Sequence, residues 1–498
     1  MARITKVVGL GAGVAALIVA VVATVNGGRG VSVSIGVEPP GREQPAAPPD
    51  TLRAVLLRYS PGSGEVLVSN GIPLPPGRLF PDEAAQVRVL VGGEEQHVHS
   101  EPLHGLHADG SLRSVFVEFL HTARPGRGEA ATIILGAPRE VDDVAPPPGD
   151  RAIPEAVVLP DEASYLASTE LAGPLVTRAR TLRWGDVYRK YEQNFDRFAD
   201  EHWRRGGDDW TENYYDRALI YYVFWMRTGD PEYFRRATLL AVDYREKYLV
   251  KNDYGSSPHW SQLEGLELHY LLTGDEASRT AVARTADRLH GFHKVLGDTL
   301  HTAWMESRIQ ARVLQSYLLA WQLQAEGRDW AALLDDGLTA VLGTQRRDGS
   351  YRFPNTCNES LNYMNGMLND VYISIYRVYR PDPRIPPAVK RSLDFLWTQW
   401  DPSANAFRYI SAPCTNASGM QVGGPVPAPD INNMIVSGFT WYGQLSGDAT
   451  YRHRAELIFA GGVNGAYLTG TKQFNESYTT SWRHLSFRFP VDSGDTAR

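Results

Sequence analysis

Cysteine is scarce in this chain of 498 residues, and basic residues do not outnumber acidic ones. The two cysteines, Cys357 and Cys414, are too few for a zinc site with cysteine ligands. Lysine and arginine total 50 against 57 aspartate and glutamate residues, and the net charge of −7 is spread along the chain. This balance argues against a nucleic-acid surface, although a local basic patch would still suit an acidic substrate. We predict no metal site, no cofactor and no nucleic-acid partner.

The N-terminus contains one long apolar stretch. Arg3 and Lys6 precede Val7–Val25, whose 19 residues are enough to span a bilayer, and no good cleavage site follows. We predict an uncleaved transmembrane signal anchor over residues 1–26, with a cleaved signal peptide as the alternative. Positive charge on the short N-terminal side would place the rest of the chain outside the cytoplasm, in the periplasm or at the cell surface.

Residues 27–50 are rich in glycine, proline and alanine without periodicity, which predicts a flexible linker. From 51 to 140 apolar residues alternate with polar ones, and Pro-Gly, Gly-Gly and Asp-Gly turns divide the segments. We expect a small antiparallel β-sandwich or barrel there.

In an extracytoplasmic protein an isolated cysteine pair more often forms a disulfide than a metal site, so we predict the pair Cys357–Cys414.

Residues 155–498 show helical patterns with a recurring turn. His259–Asp275 is an apolar helix closed by Thr-Gly-Asp, and similar endings occur at Tyr221–Asp230 and Phe439–Asp448, with weaker forms at Gln324–Asp329 and Tyr379–Asp382. A second helical pattern follows each turn. Five such units predict stacked helical hairpins and an α/α toroid, although unrelated helices with a common cap would show the same endings. The predicted fold class is therefore multidomain, β followed by all-α.

Two motifs in the β part resemble a known family. Asn70–Gly77 reads Asn-Gly-Ile-Pro-Leu-Pro-Pro-Gly, and His107–Val115 contains Asp-Gly-Ser-Leu-Arg-Ser. This resembles the N-terminal β-domain of exo-rhamnogalacturonan-lyase-like proteins, with departures at Ser114 and at His107-Ala108. The Asp109–Ser111 segment also fits a simple hairpin turn. A β-domain before a toroid is similar to polysaccharide lyases and glycoside hydrolases, which implies a carbohydrate substrate more firmly than a reaction.

The starts of the first helices in these pairs are polar and aromatic, and in a toroid they would meet at one mouth. The aromatic share of 10%, with 12 Trp and 24 Tyr, is typical of sugar-binding clefts, although core packing also uses these residues. Helix N-termini around one mouth would favour an anionic ligand. The predicted substrate-binding residues are Trp210, Asn213, Trp260, Trp304, Arg308, Asn358, Asn362 and Asn365.

One predicted helix carries a face of amides. Asn358, Asn362, Asn365 and Asn369 follow the spacing i, i+4, i+7 and i+11, and the neighbouring residues are apolar. Buried amides are costly unless they are satisfied, so we expect this face to line a wet cavity, with an exposed outer face as the alternative.

The candidate catalytic residues suit two reactions. A lyase acting on a uronic acid needs a group that neutralises the carboxylate and a base for the C5 proton, for which Tyr214, His259 and Tyr363 have suitable chemistry. A hydrolase needs paired carboxylates, for which Glu264, Glu306 and Glu359 are candidates. Each could also be a helix cap or a buried hydrogen-bonding group. Because Glu306 and Arg308 are two residues apart and point to different faces of a helix, they need not pair with each other.

We therefore predict an enzyme that cleaves a polysaccharide or oligosaccharide, with a lyase on an acidic glycan preferred and a glycoside hydrolase as the alternative. A non-catalytic glycan-binding envelope protein would use the same cavity.

Overall fold

The structure, a computed structural model, describes most of the chain. The described residues are 19–24, 32–37, 49–126, 128–146, 149–206, 214–296, 306–351, 359–415 and 421–489. The chain divides into two compact units, residues 1–48 and residues 49–498.

Strands β1 (Val19–Thr24) and β2 (Ser32–Val37) form an antiparallel pair in the first unit. The predicted membrane anchor falls mainly on residues outside the described ones, and its described part is strand β1. Across the residues that the structure describes, no helix has the length and apolar character needed to cross a bilayer. The described residues therefore do not support the predicted transmembrane helix.

The second unit begins with an eight-stranded sheet. Its strands are β3 (Asp50–Arg58), β4 (Gly64–Pro73), β5 (Val87–Val91), β6 (Glu94–Glu95), β7 (His99–Pro102), β8 (Ser114–Ala123), β9 (Glu129–Leu135) and β10 (Ala156–Pro160). They are ordered β6-β5-β9-β3-β10-β4-β8-β7 and antiparallel except for the β10–β4 pair. All eight belong to one sheet, whereas the predicted sandwich requires two packed sheets.

Strand β10 joins the two halves of this sheet. The sequence-based boundary at residue 155 assigned it to the helical domain, yet it lies between β3 and β4. Its parallel register with β4 includes only Ala156 and Val68. The buried Asn70 side chain supplies two further bonds, donating to the Val158 carbonyl at 2.9 Å and accepting from the Val158 amide at 2.7 Å. The motif asparagine thus takes the place of ladder hydrogen bonds.

Helices make up most of the remaining chain. They are α1 (Ala163–Ser168), α2 (Arg178–Thr181), α3 (Asp186–Arg205), α4 (Arg217–Thr228), α5 (Pro231–Tyr244), α6 (Glu264–Thr273), α7 (Glu276–Leu289), α8 (Ser307–Gln322), α9 (Trp330–Leu342), α10 (Asn362–Ser374), α11 (Ile385–Trp397), α12 (Asn432–Ser446), α13 (Ala449–Gly465), α14 (Thr471–Tyr478) and α15 (Ser481–Arg488). Two short antiparallel pairs, β11 (Trp400–Asp401) with β12 (Ala406–Phe407) and β13 (Cys414–Thr415) with β14 (Gln421–Gly423), precede α12.

The five predicted helix pairs are present as α4/α5, α6/α7, α8/α9, α10/α11 and α12/α13, and the two members of each pair pack together. The Gly-Asp turns end one helix and cap the next, as the sequence predicts. Gly274 has a φ of 71°, which closes α6 in the left-handed region, and the Asp275 side chain accepts from the Ala277 amide to cap α7. Helix α4 contacts α6, α8 contacts α10, α10 contacts α12, and α14 returns to α4.

The sheet packs on helix α6. Gly71 lies so close that a β-carbon there would be 2.1 Å from the carbonyl oxygen of Leu271, which explains a glycine in this motif. In the second motif, Asp109 accepts from the Ser111 amide at 3.0 Å and Gly110 has a φ of 84°. The Asp109–Ser111 segment is therefore a tight turn, as its alternative interpretation predicted.

Candidate active site

Three predicted residues meet where α6 and α8 begin. His259, in a short 3₁₀ turn before α6, has its Nε2 3.2 Å from Glu306 Oε1. Arg308 Nη2 is 2.6 Å from the same oxygen, so Glu306 and Arg308 do pair, although their spacing in sequence did not require it. Glu306 is the N-cap of α8 and has extended backbone, with a ψ of 155°. It therefore does not follow the helical spacing that would separate two residues so close in sequence.

Aromatic rings surround this ion-pair group. The ring of Tyr214 lies 5.4 Å from Trp260, edge to face. Arg308 lies over the Tyr214 ring at 5.7 Å and over the Tyr363 ring at 6.0 Å. The Lys472 ammonium lies 5.0 Å from the Tyr214 ring centroid. Two cations therefore approach one partly exposed phenol.

The two nearby carboxyl groups differ in ionisation. Burial raises the pKa of Glu306, but the hydrogen bond to His259 and the charge of Arg308 outweigh it, so the pKa lies below its ordinary value. Burial raises the pKa of Glu476 to about 7 despite Lys472, whose Nζ lies 3.7 Å from Glu476 Oε1. Near neutral pH, Glu306 is an ionised carboxylate while Glu476 still holds a proton part of the time.

Glu476 was not among the predicted site residues. It lies on α14, a helix that carries none of the predicted site residues. The Lys472–Glu476 spacing of i, i+4 was the available signal, but such pairs are common on exposed helices. Burial of the carboxyl, with only 7% of its side chain exposed, depends on tertiary packing.

Tyr363 is buried and lies against Arg308 and Tyr409. Burial raises its pKa well above the ordinary value, although Arg308 opposes the shift. A phenol that holds its proton so firmly is a poor base, so we assign Tyr363 to the wall of the site.

Glu264 belongs to another charge cluster. Its carboxylate accepts from Arg483 Nη2 at 2.5 Å, and Arg483 also pairs with the buried Asp370. Glu359 is likewise apart from the His259–Glu306 pair, and its carboxylate accepts from the Ser411 hydroxyl at 2.7 Å. The structure thus places both carboxylates in other contacts.

The described amides of α10 are buried. Asn362 and Asn365 are fully buried, and Asn369 is 1% exposed. Asn362 donates to the Arg408 carbonyl at 2.6 Å, and Asn365 donates to the Ser360 hydroxyl at 2.7 Å. Neighbouring segments of the protein hold the amide nitrogens of Asn362 and Asn365, while the buried Asn362 Oδ1 and Asn369 Oδ1 accept no hydrogen bond from the described residues. The described part of this face is buried, so the interpretation as an exposed outer face is wrong, and the wet cavity stays a prediction.

Several predicted residues lie outside the described part of the chain. They are Trp210, Asn213, Trp304, Asn358 and Cys357, and the side chain of Cys414 is also not described. The predicted disulfide therefore stays a prediction. Within the described ranges, no three His, Cys, Asp or Glu side chains are grouped so that they could hold a metal ion.

No protein-family model matches the chain, and no curated protein matches it in sequence. Several solved structures are similar to it. An unsaturated glucuronyl hydrolase from Bacillus sp. GL1 is 12% identical, with a TM-score of 0.41 over 63% of this chain and 96% of the other. An unsaturated glucuronyl hydrolase specific for heparin is 12% identical, with a TM-score of 0.44 over 61% and 96%. A polysaccharide lyase is 11% identical, with a TM-score of 0.41 over 61% and 99%.

Proposed function

We propose that this protein is an enzyme that cleaves glycosidic bonds in a glycan containing uronic acid, by β-elimination at the starts of α6 and α8. The observation that carries the proposal is the approach of two cations to one phenol. Arg308 lies 5.7 Å and Lys472 lies 5.0 Å from the ring centroid of Tyr214, beside the His259–Glu306 pair.

β-Elimination needs these groups in distinct roles. A base removes the C5 proton of the uronate, the C4=C5 double bond forms, and the bond from C4 to the leaving oxygen breaks. Negative charge moves onto the carboxylate as the proton leaves, so nearby cations lower the barrier. The leaving oxygen takes up a proton from an acid.

The side chains of this site can be assigned to those roles. Tyr214 is the base in its phenolate form and becomes a phenol when it takes up the C5 proton, while Arg308 and Lys472 neutralise the uronate carboxylate and its enolate. Glu306 accepts from Arg308 Nε at 2.7 Å, which together with His259 fixes the guanidinium. Glu476, whose pKa is about 7, supplies the proton to the leaving oxygen. Trp260 and Tyr363 form aromatic walls.

Hydrolysis is the second candidate because the two carboxyls have separated pKa values. Burial raises the pKa of Glu476 to about 7, whereas the pKa of Glu306 lies below its ordinary value. Glycosidases use one protonated acid together with one ionised carboxylate. In that reaction Glu476 would protonate the glycosidic oxygen, and Glu306 would activate water or attack the sugar.

Product chemistry distinguishes the two reactions. The protein is incubated with polygalacturonate, rhamnogalacturonan, alginate, hyaluronan and heparin, and with neutral xylan as a comparison. New ultraviolet absorbance from an unsaturated uronide supports elimination, and reducing ends without that absorbance support hydrolysis. If no product forms with any glycan, the enzymatic proposal is wrong. Tyr442→Phe is the matched control for the variant Tyr214→Phe, because Tyr442 lies on α12 against Tyr451.

We extend the proposal to the arrangement of the helices as an α/α toroid. The ordered contacts among the first helices and the return of α14 to α3 and α4 support it. The motif resemblance to exo-rhamnogalacturonan-lyase-like proteins makes rhamnogalacturonan a substrate to test first.

We also propose an extracytoplasmic location. The basic residues Arg3 and Lys6 before Val7–Val25 support it, because this is the charge pattern of an export signal. Accessibility to protease added outside intact cells tests the location.

A further inference from the structure

A cavity of about 590 Å³ lies apart from the candidate active site. The C-terminal halves of α8 and α10 line it, together with the turn at residues 106–109 and the segment at residues 170–174. Tyr214, His259, Glu306, Arg308 and Glu476 are not among its lining residues. Its volume lies within the range of small-molecule binding sites, about 300 to 1,000 Å³.

Buried ion pairs form the inner wall of this cavity. Arg113 pairs with Glu267 at 2.6 Å, and Arg483 pairs with Glu264 at 2.5 Å and with Asp370. Each of these charges already has a partner of opposite sign. The inner wall is therefore a fixed surface with little net charge to attract an ion.

The more exposed part of the lining has polar side chains that remain available. The side chains of Glu170, Gln322, Gln324 and Arg377 make no hydrogen bond or ion pair with the part of the chain that the structure describes. The Arg377 guanidinium lies over the Phe487 ring at 5.3 Å, and the charge of Glu170 acts on it. Beside them, the half-buried Trp321 packs edge to face on Tyr379 at 5.0 Å. This side of the cavity therefore combines an aromatic ring with both hydrogen-bond donors and acceptors.

Two of these polar residues have a left-handed backbone conformation, which is unfavourable for residues other than glycine. Glu170 has a φ of 49° and Gln324 has a φ of 51°. Gln324 follows α8 at a position where helices usually place glycine. Left-handed backbone costs a non-glycine residue roughly 1 kcal/mol, and at both positions the chain places a hydrogen-bonding side chain beside the cavity.

We propose that this cavity binds a neutral saccharide of about one to three sugar units. Sugar hydroxyls both donate and accept hydrogen bonds, which matches the carboxylate of Glu170, the guanidinium of Arg377 and the amides of Gln322 and Gln324. Trp321 offers a ring for the apolar face of a pyranose. An anionic sugar would meet the carboxylates of Glu170 and Asp109. The inference does not depend on the proposed function.

The test measures binding of cellotriose, xylotriose, maltotriose, galactose and rhamnose to the full chain by isothermal titration calorimetry, with trigalacturonate as the anionic probe. At least one neutral sugar is expected to bind. Trp321→Ala and Arg377→Ala are each expected to weaken that binding about 10-fold or more. Arg380→Ala is the matched control, since Arg380 pairs with Asp335 at 2.6 Å on the surface and is expected to leave binding unchanged.

Three results would overturn the proposal. One is that none of the neutral sugars binds. Another is that their binding is lost in His259→Ala but kept in both Trp321→Ala and Arg377→Ala, which would assign it to the candidate active site. The third is that only trigalacturonate binding depends on Arg377, which would make the cavity an anion site. Circular dichroism and the thermal midpoint of each variant verify that it is folded.

Discussion

Arg113, the residue just before strand β8, and Glu267 on helix α6 form a buried ion pair, with Nη1 and Oε1 2.6 Å apart. Each residue is 5% exposed, and Arg113 also donates to the Leu171 carbonyl at 2.6 Å. Burial raises the pKa of Glu267, and the charge of Arg113 opposes that shift. A motif arginine next to strand β8 thus holds the helix whose N-terminus lies beside the candidate active site.

Arg113→Met is expected to lower the free energy of unfolding by about 3 to 5 kcal/mol, because it leaves the Glu267 carboxylate buried without its partner. Combining Arg113→Met with Glu267→Leu is expected to recover much of the loss. Urea denaturation followed by tryptophan fluorescence measures both effects. Arg53→Ala is the control, since its pair with Asp161 is exposed and should contribute at most about 1 kcal/mol. Equal effects of Arg113→Met and Arg53→Ala would contradict the assignment.

Gly71→Ala is expected to destabilise the protein by about 3 kcal/mol, because the new methyl group would overlap the backbone of α6. The thermal midpoint by calorimetry reports the loss. Gly291→Ala has no atom within 4 Å of the added carbon and is expected to leave the midpoint nearly unchanged. A small effect at Gly71 would mean that sheet and helix separate more easily than the structure indicates.

Tyr214→Phe is expected to reduce kcat by about 100-fold or more on a uronate-containing glycan, since it removes the proposed base. The aromatic ring and its contact with Trp260 remain, so KM should change little. Initial rates of double-bond formation give both constants. Retention of kcat within a few-fold would rule out Tyr214 as the base and would favour the carboxylate mechanism.

The contribution of Glu476 to the stability of the protein is expected to fall as the pH rises from about 4.5 to about 7. The folded state binds the Glu476 proton more tightly than the unfolded state, whose carboxyl keeps an ordinary pKa. The stabilising contribution of the Glu476 carboxyl is therefore fully present below the ordinary pKa of a glutamate. It is lost as the pH rises through about 7.

Glu476→Gln is expected to remove on the order of 3 kcal/mol of this pH dependence, since each pKa unit corresponds to about 1.4 kcal/mol. Denaturant titrations at several pH values give the slope. Glu276→Gln changes an exposed carboxylate and should leave the slope as in the wild type. An unchanged slope in Glu476→Gln would show that the Glu476 carboxyl titrates normally.

Local signals predicted the helix pairs well. The Gly-Asp endings determine left-handed closure and the next N-cap within a few residues, so Gly229–Asp230, Gly274–Asp275 and Gly447–Asp448 all behave as expected. The positions of most strands followed from alternation and turn residues for the same reason. Both features depend on near neighbours in sequence.

Features that depend on distant contacts were harder to predict. Strand β10 was missed because its partners β3 and β4 lie some hundred residues earlier in the chain. The acceptors of two α10 amide nitrogens, the Arg408 carbonyl and the Ser360 hydroxyl, were not predicted because they lie outside the helix. Glu476 was missed because burial raises its pKa, and a one-dimensional pattern does not show burial.

The position of β10 has a consequence for how this protein could be divided. A fragment ending at residue 140 would lack the strand that connects β3 to β4, so its sheet would split into two groups of strands. The complementary fragment would carry β10 without neighbours. A cut at residue 140 therefore does not yield two intact modules. The sheet is complete only when residues 156–160 are produced with it.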